Sequence, residues 1–179
     1  MLVAVTGTPG VGKSSICAVL ARKENTEVIN VEELARKFDC ITGHDMARDT
    51  MEVDMDKLDA RLKYERFGRD ADRTILLDGH LSHLLTVDSV VLLRCSPDIL
   101  LKRLGNKEWM PEKIQENLEA EILDIIKAEA IKNCRQVHEI DATQKNPEEL
   151  SHIILEALDG RYTPWEAKWL DDFYHMLPL

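Results

Sequence analysis

No apolar run in this 179-residue chain approaches the roughly 18 residues needed to cross a bilayer. Residues 1–25 do not read as a secretory signal, because the apolar start is short and a glycine-rich stretch interrupts it. Cysteine is sparse: Cys17, Cys40, Cys95 and Cys134 stand apart with no C-x-x-C pair. That spacing argues against a zinc site and reads as reduced, partly buried thiols of an intracellular protein. Repeats, low-complexity tracts and linkers are missing, so one domain over residues 1–179 is expected. Positive charge is in deficit, with a formal net charge of −10. Residues 112–172 hold 15 acidic and 7 basic side chains, which concentrates −8 there. An acidic half repels a phosphate backbone, so strong direct nucleic-acid binding is not expected. A basic protein partner would be attracted to it; a plain solubilising surface is the other reading.

Against these absences stands one dense motif. Leu2–Val5 is an apolar run, and it leads into Gly7-Thr8-Pro9-Gly10-Val11-Gly12-Lys13-Ser14. This is G-x-x-x-x-G-K-[ST], the phosphate-binding loop. Glycines let successive backbone N–H groups turn inward as an anion nest. The helix that follows adds its unpaired N–H groups and the positive end of its dipole. Lys13 is then placed for the β- and γ-phosphates, and the Ser14 hydroxyl for Mg²⁺. The alternative, a glycine-rich turn ending by chance in Lys-Ser, lacks the strand before and the helix after.

The remaining pattern alternates strand and helix. Strands are expected at 2–6, 27–31, 74–78, 90–93 and 136–140. Helices are expected at 13–23, 32–37, 54–66, 97–104, 112–132 and 147–158, with Pro97 and Pro147 opening two of them. The long helix carries an apolar stripe of Ile114, Leu118, Ile122, Ile125 and Ile126. Residues 38–53 read as irregular, with Thr42-Gly43-His44-Asp45 as a turn, and residues 105–111 as a loop. Such alternation means βαβ units and a parallel sheet, with ligands bound beyond the carboxyl ends of the strands.

Asp78 closes an apolar strand and could hold a water of the Mg²⁺ shell opposite Ser14, or simply cap a turn. His80 could orient an attacking water or sense the γ-phosphate, or serve as a structural hydrogen-bonder. His80-Leu81-Ser82-His83 has no further ligands at helpful spacing for a metal. Arg36, Arg48, Arg94 and Arg103, with Lys107, are the cations available to grip phosphate. Guanine-reading marks are missing: Asn106-Lys107-Glu108-Trp109 begins like N-K-x-D but ends in Trp, and Asp78 is followed by Gly-His-Leu.

Four stretches together resemble a known family. They are Gly7–Ser15; Asn30-Val31-Glu32-Glu33-Leu34-Ala35-Arg36; Asp78-Gly79-His80; and Arg103-Leu104 with Lys113-Ile114-Gln115-Glu116-Asn117 and Glu121-Ile122. The chain is similar, over about residues 1–158, to the small adenylate kinase/ATPase proteins of archaea and eukaryotes that act in small-ribosomal-subunit maturation, the adenylate kinase isoenzyme 6 type. The resemblance implies an α/β P-loop NTPase: a three-layer, nucleoside-monophosphate-kinase-like fold with a five-stranded parallel sheet. It implies a monophosphate-binding segment at 30–53 holding Arg36, and a lid at 106–116. It implies that Gly10, Gly12, Lys13, Ser14, Ser15 and Lys107 bind ATP with Mg²⁺ at Ser14 and, through water, Asp78. Lys13, Asp78 and His80 would serve phosphoryl transfer and hydrolysis. Lys107 stands where the family usually has a lid arginine. The implied activity converts ATP and AMP, or another nucleoside monophosphate, to diphosphates, in the cytoplasm or, in a eukaryote, also the nucleus. A basic small-subunit ribosomal protein would be the partner. A nucleotide-switched assembly factor and another small-metabolite kinase are the alternatives. In the tail, residues 161–179, Trp165, Trp169, Phe173 and Met176 recur at helical spacing, as a helix packed back on the domain or as a partner-binding anchor.

Overall fold

The computed structural model describes residues 1–46, 50–65, 67 and 73–178. In chain order the elements are β1 (Leu2–Thr6), α1 (Lys13–Leu20), β2 (Thr26–Asn30), α2 (Val31–Lys37), β3 (Ile41–Asp45), β4 (Thr50–Val53), α3 (Met55–Tyr64) and β5 (Thr74–Asp78). Then follow β6 (Ser89–Arg94), α4 (Pro97–Gly105), α5 (Pro111–Ile122), α6 (Ile125–Asn133), β7 (Val137–Asp141), α7 (Pro147–Leu158) and α8 (Trp169–Phe173). Five strands form one parallel sheet in the order β2-β5-β1-β6-β7. β1 is central, so its carboxyl end and the loop after it emerge between those of β5 and β6.

The sheet is covered on both faces, as the buried apolar runs of its inner strands β1, β5 and β6 require. Along β1, Val3 and Val5 point into one apolar cluster with Ile16, Leu20, Leu100, Leu104 and Ile154. Leu2 and Ala4 point the other way, Leu2 toward Leu34, Leu58, Leu62 and Leu85, Ala4 toward Val90, Leu92 and Ala130. That is the strand period of two, with a helical layer on either side. Local chemistry sets the helix starts. Asn30 accepts from the amides of Glu32 and Glu33 to cap α2, and Asn146 and Glu149 form a reciprocal capping box at α7.

Several expectations are corrected. Helix α1 stops at Leu20, short of residue 23, because Arg22 and Lys23 donate to the carbonyls only three residues back and Asn25 turns left-handed before β2. Residues 38–53 are not wholly irregular: β3 and β4 pair antiparallel, with a bulge between Ile41 and Gly43. The expected turn Thr42–Asp45 is therefore strand. Gly43 sits beside that bulge, with the Glu52 carboxylate folded over it. The helix expected over 112–132 is two helices. The Glu121 carbonyl, which would accept from the residue 125 amide in an unbroken helix, accepts from Arg94 Nη2 at 2.8 Å, and Asp124 takes φ 56°. Ile125 is consequently exposed and leaves the stripe, while Leu118 and Ile122 stay buried. In the tail only Trp169–Phe173 is α-helical, followed by one 3₁₀ turn; the segment before it, 161–168, has no regular secondary structure. The tail nonetheless packs back on the domain, with Ala167 buried and Trp165, Trp169 and Phe173 in edge contact at 5.8 and 5.9 Å.

Candidate active site

The loop after β1 takes the shape its glycines permit. Gly7, Gly10 and Gly12 have φ of 137°, 97° and 108°. At Gly7 a Cβ would also sit 2.3 Å from the Leu93 carbonyl oxygen, so only glycine lets β1 and β6 splay into the loop. Gly12 caps α1 directly, and Lys13 is its first residue. The Lys13 ammonium curls back over the loop and donates to the carbonyls of Gly7 at 2.6 Å and Thr8 at 3.2 Å. Enclosure by the loop strips it of water and lowers its pKa to about 8, against the pull of Asp78 and Glu121. Ser14 and Ser15 are exposed.

Asp78 ends β5, in register beside Val5 of β1. It is buried, and loss of hydration raises its pKa, opposed by the Lys13 charge and a hydrogen bond from Ser14. Lys13, Ser14 and Asp78 are thus brought together from two strand ends. His80 lies two residues on, at the rim. Desolvation by the surrounding protein, then the Lys13 charge, hold its imidazole below the usual histidine range. Behind it, Thr6 Oγ1 lies 3.1 Å from the His80 carbonyl and 2.9 Å from His83 Nδ1, and His83 Nε2 meets Glu129 at 2.9 Å. His83 is engaged in this relay, which accounts for the second histidine without a metal. Among the described residues no three His, Cys, Asp or Glu side chains cluster to hold a metal by themselves. Any cation here would share its oxygen ligands with a bound anion. The hydroxyl of Ser14 and the carboxylate of Asp78, already hydrogen-bonded to each other, are the hard oxygen donors that would suit it.

A cavity of about 670 Å³ opens beside the loop. That lies within the roughly 300–1,000 Å³ range of small-molecule sites. Thr8 and Pro9 form one wall and Arg36 and Glu32 of α2 another; His44, Thr50 and Met51 of the hairpin, then His80 and His83, follow. Lys107, Trp109, Lys113, Asn117 and Glu129 belong to the rest of its lining. The β3–β4 hairpin, illegible in the sequence, is therefore one side of the cavity. Arg36 is exposed and paired with Glu32 one turn away. Lys107 and Lys113 flank the Trp109 ring, at 4.3 and 4.2 Å from its centroid.

The other cations fare differently. Arg94 is 2 % exposed and spends its guanidinium on Glu121, Asp124 and Glu139, so it cannot reach a phosphate. Arg103 braces the loop from behind, donating to the carbonyls of Val11 at 3.3 Å and Thr143 at 2.8 Å. Arg48 lies outside the described residues. Trp109, Asn117, His83 and Glu129 line the cavity without having been singled out for it. Glu121, quoted above within the resemblance but given no role in the site, is a fully buried acid. Its signal was available: it occupies a slot of the apolar stripe, three residues after Leu118.

Comparison with known proteins agrees with this geometry. A family profile described as "AAA domain" matches residues 3–124. A protein of Archaeoglobus fulgidus named "Putative adenylate kinase" is 39% identical over 178 residues, 96% of this chain and 93% of that one. Proteins of the same name from Methanocaldococcus jannaschii and Pyrococcus abyssi are 36% and 43% identical, over 96% and 87% of this chain and 96% and 82% of theirs. The sheet order, the loop after the central strand and the acid at the neighbouring strand end make an α/β P-loop NTPase fold of the nucleoside-monophosphate-kinase type. The chain belongs to the P-loop family of these archaeal proteins, with which it shares more than a third of its residues over nearly its whole length.

Proposed function

We propose that the protein is a nucleoside monophosphate kinase that moves the γ-phosphoryl group of ATP to AMP, with some hydrolysis of ATP as a side reaction. One observation carries this reading: the phosphate loop is itself a wall of the 670 Å³ cavity, so donor and acceptor sites share a border. Gly10, Gly12, Lys13, Ser14 and Ser15 hold the ATP phosphates, and Lys107, from a lid at 106–116, closes over them as a point charge. Arg36, in an acceptor segment at 30–53, grips the monophosphate. Lys13 stabilises charge as the acceptor oxygen bonds to the γ-phosphorus and the bond to the β-phosphate oxygen breaks. Asp78 and His80 order the proton and water structure around the acceptor side. Ser14 and Asp78 would hold Mg²⁺, which when bound would neutralise phosphate charge. Lid closure excludes water and so favours transfer over hydrolysis.

The test is a coupled assay with ATP and a panel of nucleoside monophosphates. AMP is expected to be the preferred acceptor, each turnover giving two ADP. The Arg36→Ala variant is expected to raise the KM for AMP about tenfold or more with little change in the KM for ATP, since a charge-assisted phosphate contact is lost. Hydrolysis without transfer to any acceptor would remove the kinase reading.

A pH dependence follows from Lys13. The protonated ammonium binds phosphate, and its pKa in the free protein is about 8. Affinity for ATP is therefore complete below pH 8 and lost as pH rises through that value, by up to about tenfold per unit, with proton uptake on binding. Titration calorimetry from pH 7 to 9.5 reads it; a Kd flat across that range contradicts it.

A second reading has its own observation, the charge of −8 over residues 112–172. On it, the nucleotide state of a cytoplasmic protein governs its grip on a basic small-subunit ribosomal protein. Binding of such a protein that ignores both ATP and salt would count against this.

A further inference from the structure

Glu121 belongs to α5, yet its carboxylate reaches the phosphate loop. Oε2 accepts a short hydrogen bond from the Thr8 hydroxyl. Oε1 accepts from Arg94 Nε at 2.8 Å, the Cys95 amide at 3.1 Å and the Trp169 indole N–H at 3.2 Å. Thr8 and Glu121 are 0 % and 2 % exposed, so water does not stand in for these partners. Thr8 in turn gives its carbonyl to Lys13 Nζ. A continuous set of contacts thus runs from the tail's Trp169 through Glu121 and Thr8 to the lysine of the loop. The tail is fastened to the same buried network elsewhere. Tyr162 donates to the Glu139 carbonyl at 3.1 Å, Ala167 N to Glu139 Oε1 at 3.2 Å, and Lys127 pairs with Glu166 at 2.6 Å.

We infer that Glu121 is a positioning residue for the phosphate loop and that Trp169 of the C-terminal tail holds it in place, so that docking of the tail and ordering of the loop are one coupled event. The physical reason is the shared acceptor. A buried carboxylate is held by its full set of donors, and losing one loosens its grip on the others. A loop held by Thr8 is pre-shaped for phosphate; a loosened one must be ordered by the ligand at the expense of affinity. Coupling of this kind is reciprocal: filling the loop tightens the tail. The ligand half of this inference rests on the proposed binding of ATP.

Hydrogen exchange of the nucleotide-free protein tests the core claim. Trp169→Phe keeps the edge contacts with Trp165 and Phe173 but removes the indole N–H. It is expected to speed exchange of the amides of residues 10–13 several-fold. Trp165→Phe, whose indole does not meet Glu121, is expected to match the parent. Thr8→Val is expected to speed exchange over residues 165–173, and Thr8→Ser to restore it. In ATP titrations Thr8→Val and Trp169→Phe should each weaken binding about tenfold, the size of one charge-assisted bond, and the double variant hardly more than either alone. Loop exchange in Trp169→Phe equal to the parent's, or fully multiplicative losses of affinity, would overturn the coupling. Because the exchange measurement needs no nucleotide, a parent that binds no ATP would defeat the proposed function and still leave this outcome readable.

Discussion

Replacing Lys13 by alanine is expected to lower kcat/KM for ATP about a thousandfold while leaving the melting temperature close to the parent's. The size follows from removing one pre-placed donor at the point where charge develops, typically about 10²–10³ in rate, together with lost ground-state binding of the triphosphate. The fold should survive for a local reason. Among the described residues Nζ of the free protein donates to the carbonyls of Gly7 and Thr8 alone, and those open to the cleft when it leaves. The ammonium is also a destabilising guest, since enclosure drives its pKa down to about 8. Below pH 8 the folded state therefore bears the full cost of that charge, and alanine removes it. Steady-state kinetics with a melting curve decide the matter. A variant that consumes ATP like its parent would mean that the loop does not hold the reacting phosphate, and a variant that fails to fold would mean that Lys13 is structural. Lys13→Arg should not rescue, because a planar fork cannot occupy the space of a compact ammonium seated on two carbonyls.

How much of this was legible in the chain depended on the range over which each feature is determined. The β1–loop–α1 unit is written in 19 consecutive residues, Leu2 to Leu20, and its strand, nest and lysine all follow from near neighbours. Asp78 was legible for the same reason, as an acid ending an apolar run. The β3–β4 hairpin was not, because its strands are short and polar. Ile41, Gly43 and Asp45 are only half-buried, so no clean alternation of apolar residues appears, and Gly43 imitates a turn while lying beside the bulge of β3. The break between α5 and α6 could not be read locally at all. It is made by Arg94, 27 residues before the carbonyl it captures. Thr8 and Glu121 are 113 residues apart, and their bond depends on the whole sheet being in place. Arg94 was a reasonable phosphate candidate by position, at the carboxyl end of β6, but residue type does not reveal that three carboxylates converge on it from α5, the α5–α6 junction and β7.

That convergence makes Arg94→Met the most damaging substitution expected outside the phosphate loop. The guanidinium donates to Glu121 Oε1 at 2.8 Å, the Glu121 carbonyl at 2.8 Å, Asp124 at 2.6 Å and Glu139 at 2.7 Å. Its own pKa is raised, because those acids outweigh its desolvation. A methionine of similar length fills the space but leaves Glu121 and Glu139 buried, with Lys127, 3.0 Å from Glu139, and the more distant Lys13, whose charge Glu121 attracts, as cations that remain. Breaking a buried pair from one side typically costs about 3–5 kcal/mol, and in a chain of this size each kcal/mol moves Tm by roughly 2–4 °C. A fall of about 6–20 °C is therefore expected. Neutralising the stranded carboxylates by substitution separates this cause from simple loss of packing. Adding Glu121→Gln and Glu139→Gln to Arg94→Met should recover part of the loss at neutral pH, because two uncompensated charges become neutral hydrogen-bonding groups. A Tm within two or three degrees of the parent's, or a deficit that the two glutamines leave unchanged, would show that the three carboxylates do not depend on Arg94. The junction of α5 and α6, and with it the seat of Glu121 under the loop, would then have to be held by packing alone.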